Sequence, residues 1–171
     1  MKGEIKMETI LKRRSIRSYK NKKIEKEKIE KLLRAAMQAP SAMNQQPWEF
    51  IVVQEEEKLK ELSKMSVYSK VIKKSAVSIV LLANKKRIKY PENWQQDMSA
   101  ASENILLEAV DLDLGGVWLG VAPLEERMIY IRKIFDLSEN IMPFSVISLG
   151  YPENAENKFI DRFDETRIKY L

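Results

Sequence analysis

The chain has 171 residues, 44% of them hydrophobic and 32% charged, with a formal net charge of +5. That length fits one domain spanning 1–171, since two domains would each have a thin core, and no apolar run is long enough to cross a bilayer. Cysteine and histidine are both absent, which excludes disulfides, thiolate nucleophiles, histidine triads and thiolate or imidazole metal sites together.

The longest apolar stretch, AVSIVLLA (76–83), has eight residues, and MKGEIKMETI at the start lacks the apolar core of a signal peptide. The expected location is therefore the cytoplasm, without membrane attachment. Residues 1–31 hold 12 Lys or Arg against 5 Glu, so the positive surplus sits at the start of the chain and the rest is slightly negative. A basic end on a near-neutral body suits nucleic acid, a membrane surface or a phosphate-bearing ligand, while the lysines from Lys20 to Lys31 read as a solvated face. The charge is crowded in RRSIRSY (13–19), with Arg13, Arg14 and Arg17 inside five positions.

In EIKMETILKRR (4–14), Met7, Ile10, Leu11 and Arg14 follow the i, i+3, i+4, i+7 spacing, which predicts a helix with Arg14 on its apolar side. SIRSYKNKKI (15–24) has no helical period and reads as an extended link. EKEKIEKLLRAAMQAP (25–40) is an amphipathic helix built on Ile29, Leu32, Leu33 and Ala36, ended by Pro40. APSAMNQQP (39–47) is a loop between two prolines, and WEFIVV (48–53) a strand. EEEKLKELSKM (55–65) is a helix with three acids at its positive end. SAVSIVLLA (75–83) predicts a strand covered on both faces. ENWQQDMSAASENILLEAVDLDL (92–114) predicts one long helix, whose small residues at 99–102 suit a central, buried position. GGVWLGV (115–121) reads as a short strand, LEERMIYIRKIFDL (124–137) as a helix and PFSVISLGYP (143–152) as the last core strand, followed by a polar tail over 153–171. The order implies an α+β or α/β layered fold in which helices cover a small sheet.

Glycine-loop nucleotide motifs are missing, because GGVWLG has the wrong spacing for either GxGxxG or a P-loop. Asp97, Glu103, Glu108, Asp111 and Asp113 share the long helix, but Glu103 is off the Asp97 face, so most of these acids are expected to be solvated or at an interface. In PSAMNQQPW (40–48) the Ser, Asn and Gln side chains could hydrogen-bond a planar heterocycle, or could equally be ordinary turn residues.

Taken together, RRSIRSY, APSAMNQQPWEF, DMSAASENILL, LGGVWLG and SLGYP resemble, in order, the segments of the FMN-dependent nitroreductase family, over roughly residues 7–171. The chain looks like the short form of that family. The resemblance implies an α+β layered fold with a central, mainly antiparallel sheet flanked by helices, and an intertwined homodimer with FMN at the interface. Arg17 would meet the FMN phosphate or ribityl end, and Arg13, Arg14 and Ser15 the phosphate or pyrimidine edge. Pro40, Ser41, Ala42, Asn44 and Gln45 would complete the pocket from the second subunit. Leu119 and Gly120 match the stretch whose backbone amide faces flavin N5. In the tail, which would pack on the partner or the FMN phosphate, Arg162 is the candidate phosphate contact, with Lys158 behind it. Where many members carry an Asn or Lys that reaches the flavin edge, this chain reads VYSKV (67–71).

The activity implied is an NAD(P)H-dependent FMN oxidoreductase that reduces a nitroaromatic, quinone or similar small acceptor in two hydride steps at flavin N5. No metal and no catalytic side chain beyond the flavin is expected, since hydride transfer is the cofactor's own chemistry and the missing His and Cys then cost nothing. An arginine fork suits a phosphate, and an arginine at the N1–O2 edge would favour the reduced ring. The same scaffold also implies alternatives: reductive dehalogenation, flavin storage or flavin transformation. A basic nucleic-acid-binding module is the remaining reading, without a recognition motif to support it.

Overall fold

Along the second strand, Val77, Ile79, Leu81 and Ala83 alternate with Ser78, Val80 and Leu82, and all seven are buried. Both faces of that strand are therefore covered, as its unbroken apolar run requires. A computed structural model describes residues 8–171. Within it lie α1 (Glu8–Lys12), α2 (Lys26–Met37), β1 (Trp48–Val53), α3 (Glu56–Leu62), β2 (Val77–Asn84), α4 (Trp94–Asp111), β3 (Gly115–Gly120), α5 (Glu125–Ile134) and β4 (Ile141–Gly150). The strands form one sheet in the order β1-β2-β4-β3, and every pairing is antiparallel. The fold is α+β, an antiparallel sheet between helices. No helix among the described residues is long and apolar enough to cross a membrane.

On one face α2 and α4 pack Ile29, Leu32, Met98, Ala101 and Ile105 against Val77, Ile79, Leu81, Ile147 and Leu149. On the other, α3, α5 and a 3-10 helix at Val67–Lys74 pack Leu59, Leu62, Ile72 and Ile131 against Val80, Leu82, Leu119 and Val146. The 3-10 helix is absent from the sequence reading. Its buried Ser69 and Ile72 lie three residues apart, a period that fits neither the 3.6 of an α-helix nor the 2 of a strand. In β4 the register slips between Leu81↔Ser145 and Leu82↔Pro143, so Phe144 is an extra residue. The bulge reverses side-chain parity and sends Phe144 to the same face as Ile147 and Leu149, onto α4.

The first helix ends earlier than its spacing suggests. It ends at Lys12, with Ile10 and Leu11 half exposed, while Met7 lies outside the described residues. Arg14 is thus beyond the helix, and its part-buried position arises differently. The link after it lies along the outer edge of β3, where Ser15 bridges Gly116 in parallel and the Ile16 N–H donates to Gly116 O at 3.0 Å. Tyr19 bridges Pro152, Lys20 N–H reaches Tyr151 O at 2.8 Å and Glu153 N–H reaches Ser18 O at 3.1 Å. The segment is extended, as the lack of helical period predicts.

Two glycines make that docking possible. A Cβ at Gly115 would lie 2.6 Å from Ile16 Cβ, and one at Gly150 would lie 2.6 Å from the Tyr19 ring. The Tyr19 hydroxyl shares its proton between Ile16 O at 2.8 Å and Ser148 O at 2.9 Å, and burial pushes its pKa far above that of a free phenol. At Gly120, by contrast, a Cβ meets nothing within 4 Å. Gly150→Ala should therefore cost about 1–3 kcal/mol in urea unfolding, and Gly120→Ala no more than about 0.5 kcal/mol. Equal stability of the two variants would contradict the close packing of Tyr19.

Candidate active site

Of the three arginines in the segment, Arg13 alone forms an ion pair among the described residues. Arg13 Nε pairs with Glu103 at 3.1 Å. Arg14 Nη1 donates to the Arg13 carbonyl, but Arg14 Nε and Nη2 are buried and have no hydrogen-bond partner. Burial, then the charges of Arg162 and Arg13, depress the Arg14 pKa. A guanidinium in that position is short of an acceptor, and an anion with several oxygens would supply one. Arg17 is exposed, with Nη1 3.4 Å from Ser15 O. The tail is pinned beside this cluster by Asn157, whose Oδ1 accepts the Arg14 N–H at 3.3 Å and whose Nδ2 donates to Leu114 O at 3.0 Å. Arg162 follows five residues later and is exposed, and Lys158 is also exposed.

At the other end of β3 lie Leu119 and Gly120. Leu119 is buried in the cluster under α5, so its side chain belongs to the core. Gly116 turns its carbonyl outward to Ile16, and the two-residue alternation of a strand then points the N–H groups of Trp118 and Gly120 off the same edge. Gly120 O is occupied by Arg127 Nη1 at 2.8 Å. Gly116 and Gly120 are four residues apart, about 13 Å along the strand. One edge therefore carries an unsatisfied guanidinium at one end and an uncluttered backbone amide at the other.

The loop from Pro40 to Gln46 is held by α4. Ala42 N–H donates to Asp97 Oδ1 at 2.9 Å, and Gln45 Nε2 donates to Asp97 Oδ2 at 2.6 Å. Gln45 Oε1 accepts the N–H groups of Lys89 at 2.8 Å and Tyr90 at 3.0 Å, while Nε2 also lies 3.3 Å from Tyr90 O. All four hydrogen-bonding positions of that amide are engaged inside the chain, so its place is in holding the loop. Ser41 Oγ accepts the Gln46 N–H at 3.1 Å, and Asn44 Oδ1 accepts Gln46 Nε2 at 2.7 Å. Met43, Asn44 and Gln46 have φ of 46°, 54° and 45°, so three non-glycine residues out of four are left-handed. Such backbone persists only where its surroundings enforce it. Pro40 and Asn44 are exposed, Ser41 and Ala42 half-buried.

Asp97 corrects the expectation of a solvated acid, being only 4% exposed. Its signal was present in the sequence, because Asp97, Ala101 and Ile105 fall on the buried i, i+4, i+8 stripe. Asp97 and Glu103 are six residues apart, hence about 9 Å along α4 and about 120° around it. Within one chain the loop and the arginines thus grip different faces of the same helix.

Comparison with known proteins places this fold. The nitroreductase family matches residues 10–77 and 64–151. A protein of Archaeoglobus fulgidus provisionally named NADH dehydrogenase/NAD(P)H nitroreductase is 48% identical over 95% of each chain. A crystal structure of a provisionally named NADH oxidase from Clostridium acetobutylicum superposes with a TM-score of 0.93 at 62% identity, covering 94% of this chain and 97% of that one. An FMN-dependent nitroreductase from Clostridium difficile follows at TM-score 0.86 and 34% identity, over 95% and 96%. The chain belongs to the nitroreductase family, a family of oxidoreductase enzymes, as the five motifs suggested.

Replacing Asp97 by Asn sets two amide groups face to face at Gln45. Urea unfolding should show a loss of about 1–3 kcal/mol, with faster proteolysis inside residues 40–46. An unchanged midpoint would mean the loop is held by something other than Asp97.

Proposed function

We propose that this chain binds FMN and uses it as an NAD(P)H-dependent oxidoreductase toward a small acceptor such as a nitroaromatic or a quinone. The observation that carries the proposal is Arg14, whose buried Nε and Nη2 lack an acceptor. A phosphate near charge −2 fits that need, and the family relatives supply the flavin. When bound, FMN supplies the hydride chemistry, taking hydride from NAD(P)H and passing it to the acceptor.

The chain's own part is to bind and orient. Arg14 would hold the phosphate, with Arg162 and Arg17 adding charge from the exposed rim. Arg13 stays on Glu103 and braces the segment. Gly120, with no side chain and its N–H off the sheet edge, would admit a flat ring and donate to it. The loop from Pro40 to Asn44 would close over the ring of a second copy, because in its own chain it grips the other face of α4. Gln45 and Asp97 then act as positioning residues behind that loop.

A homodimer follows from this arrangement and from the tail, where Phe159, Ile160, Phe163, Tyr170 and Leu171 stand exposed in the single chain. Over 153–171 those side chains would pack on the partner.

Purified protein supplied with FMN should retain the visible flavin band and lose it on addition of NAD(P)H; a colourless protein overturns the proposal. Arg14→Met should weaken FMN binding about tenfold or more, without lowering the stability of the flavin-free protein, since it removes a part-buried cation two of whose nitrogens have no partner. Sedimentation should report a dimer. A monomer that still holds FMN would contradict the shared site.

A further inference from the structure

The densest run of positive charge is KKRIK (85–89), four cations in five positions, directly after β2. Its backbone is fixed. Lys85 N–H donates to Asn140 O at 2.8 Å, Lys86 N–H to Asn84 Oδ1 at 2.9 Å, and Ile88 N–H to Lys85 O at 3.2 Å. Lys85, Lys86, Arg87 and Lys89 are exposed, and none forms an ion pair among the described residues. Several helical lysines behave differently: Lys12, Lys26, Lys58 and Lys60 each face a carboxylate three or four residues away. Glu49, which touches this turn, already accepts Asn84 Nδ2 at 2.6 Å. The turn is also tied to the loop at 40–46, because Gln45 Oε1 accepts both Lys89 and Tyr90 N–H.

We propose that this turn binds the 2′-phosphate of NADPH and makes NADPH, rather than NADH, the preferred hydride donor. The inference rests on the flavin reading above, which puts the loop at 40–46 over the ring where the nicotinamide reacts. A dinucleotide with its nicotinamide there extends its adenosine end beyond that loop, and Gln45 fixes the basic turn as the loop's neighbour. The two donors differ by one phosphomonoester, so discrimination requires a site that gains only from that group. Unpaired cations on an ordered backbone provide it with little ordering cost on binding. Arg87 can take two phosphate oxygens through its fork, while the lysines act as point charges.

Calorimetric titration of the full chain with 2′,5′-ADP, 5′-ADP and inorganic phosphate tests the turn without flavin chemistry. The first two carry two phosphates each, but 2′,5′-ADP has about one negative charge more, so the titration is run at low and high salt: bulk attraction to a basic surface fades with salt, and a seated 2′-phosphate keeps its advantage. The expected result is 2′,5′-ADP binding about tenfold or more tighter than 5′-ADP, as loss of one charged hydrogen bond would imply. In the combined variant Lys85→Ala, Lys86→Ala, Arg87→Ala, Lys89→Ala that difference should vanish. With FMN-loaded enzyme the same variant should lower the ratio of kcat/KM for NADPH over NADH about tenfold, through KM. Equal binding of the two nucleotides by the unaltered protein at high salt, or an unmoved kinetic ratio, overturns the proposal. A protein that takes up no FMN overturns the underlying reading instead, and the titration still decides whether the turn selects a 2′-phosphate.

Discussion

The backbone contact of Ile16 N–H with Gly116 O, backed by Lys20 N–H to Tyr151 O and Glu153 N–H to Ser18 O, seats the arginine segment on the outer edge of β3. With it, Arg14 is pressed into a part-buried position where two of its nitrogens find no acceptor. The contact needs bare backbone on the strand side, which Gly115 and Gly150 provide by admitting Ile16 and the Tyr19 ring. The tail is fastened to the same place by Asn157 and by Glu153 to Ser18. Charge, sheet edge and tail are therefore one construction, and its chemical demand is for an anion.

The loop at 40–46 is a second construction, organised from behind. Asp97 supplies both carboxylate oxygens inward, to Ala42 and Gln45, and the strained backbone at Met43, Asn44 and Gln46 depends on that grip. Because Gln45 also takes the N–H groups of Lys89 and Tyr90, the loop, the start of α4 and the basic turn after β2 share one hub. The two constructions meet α4 on different faces, which is the geometric basis for the proposal that a complete site draws on two chains.

The elements with strong periodicity were legible in the sequence. The stripe Ile29, Leu32, Ala36 defines α2, the run at 76–83 defines β2, and the small residues at 99–102 mark α4 as central. Family resemblance rested on five motifs in order, and the matching fold accounts for them. What was illegible depends on contacts distant in sequence. The spacing of Ile10, Leu11 and Arg14 suggested a longer helix, yet Arg14 is placed by β3. Gln45 looks like a ligand-facing amide in the one-dimensional motif, and only its partners at 89, 90 and 97 show it satisfied. Asp97 has no second acid on its face of the helix to mark it, and its partners at 42 and 45 are distant in sequence. The segment 67–74 escaped because a three-residue period belongs to neither standard template.

The left-handed bend at Met43 has one more consequence. Its side chain stands 73% exposed at the tip of the loop, in a chain with no cysteine to intercept oxidants. Thioethers are then the oxidisable sulfur, and among the described methionines Met43 is the most open, ahead of Met37 at 49%. Conversion to the sulfoxide would place a polar, chiral group on the segment proposed to close over the flavin. With a flavin seated as proposed, oxidative wear would register first at Met43, a residue whose left-handed backbone has little freedom to accommodate it.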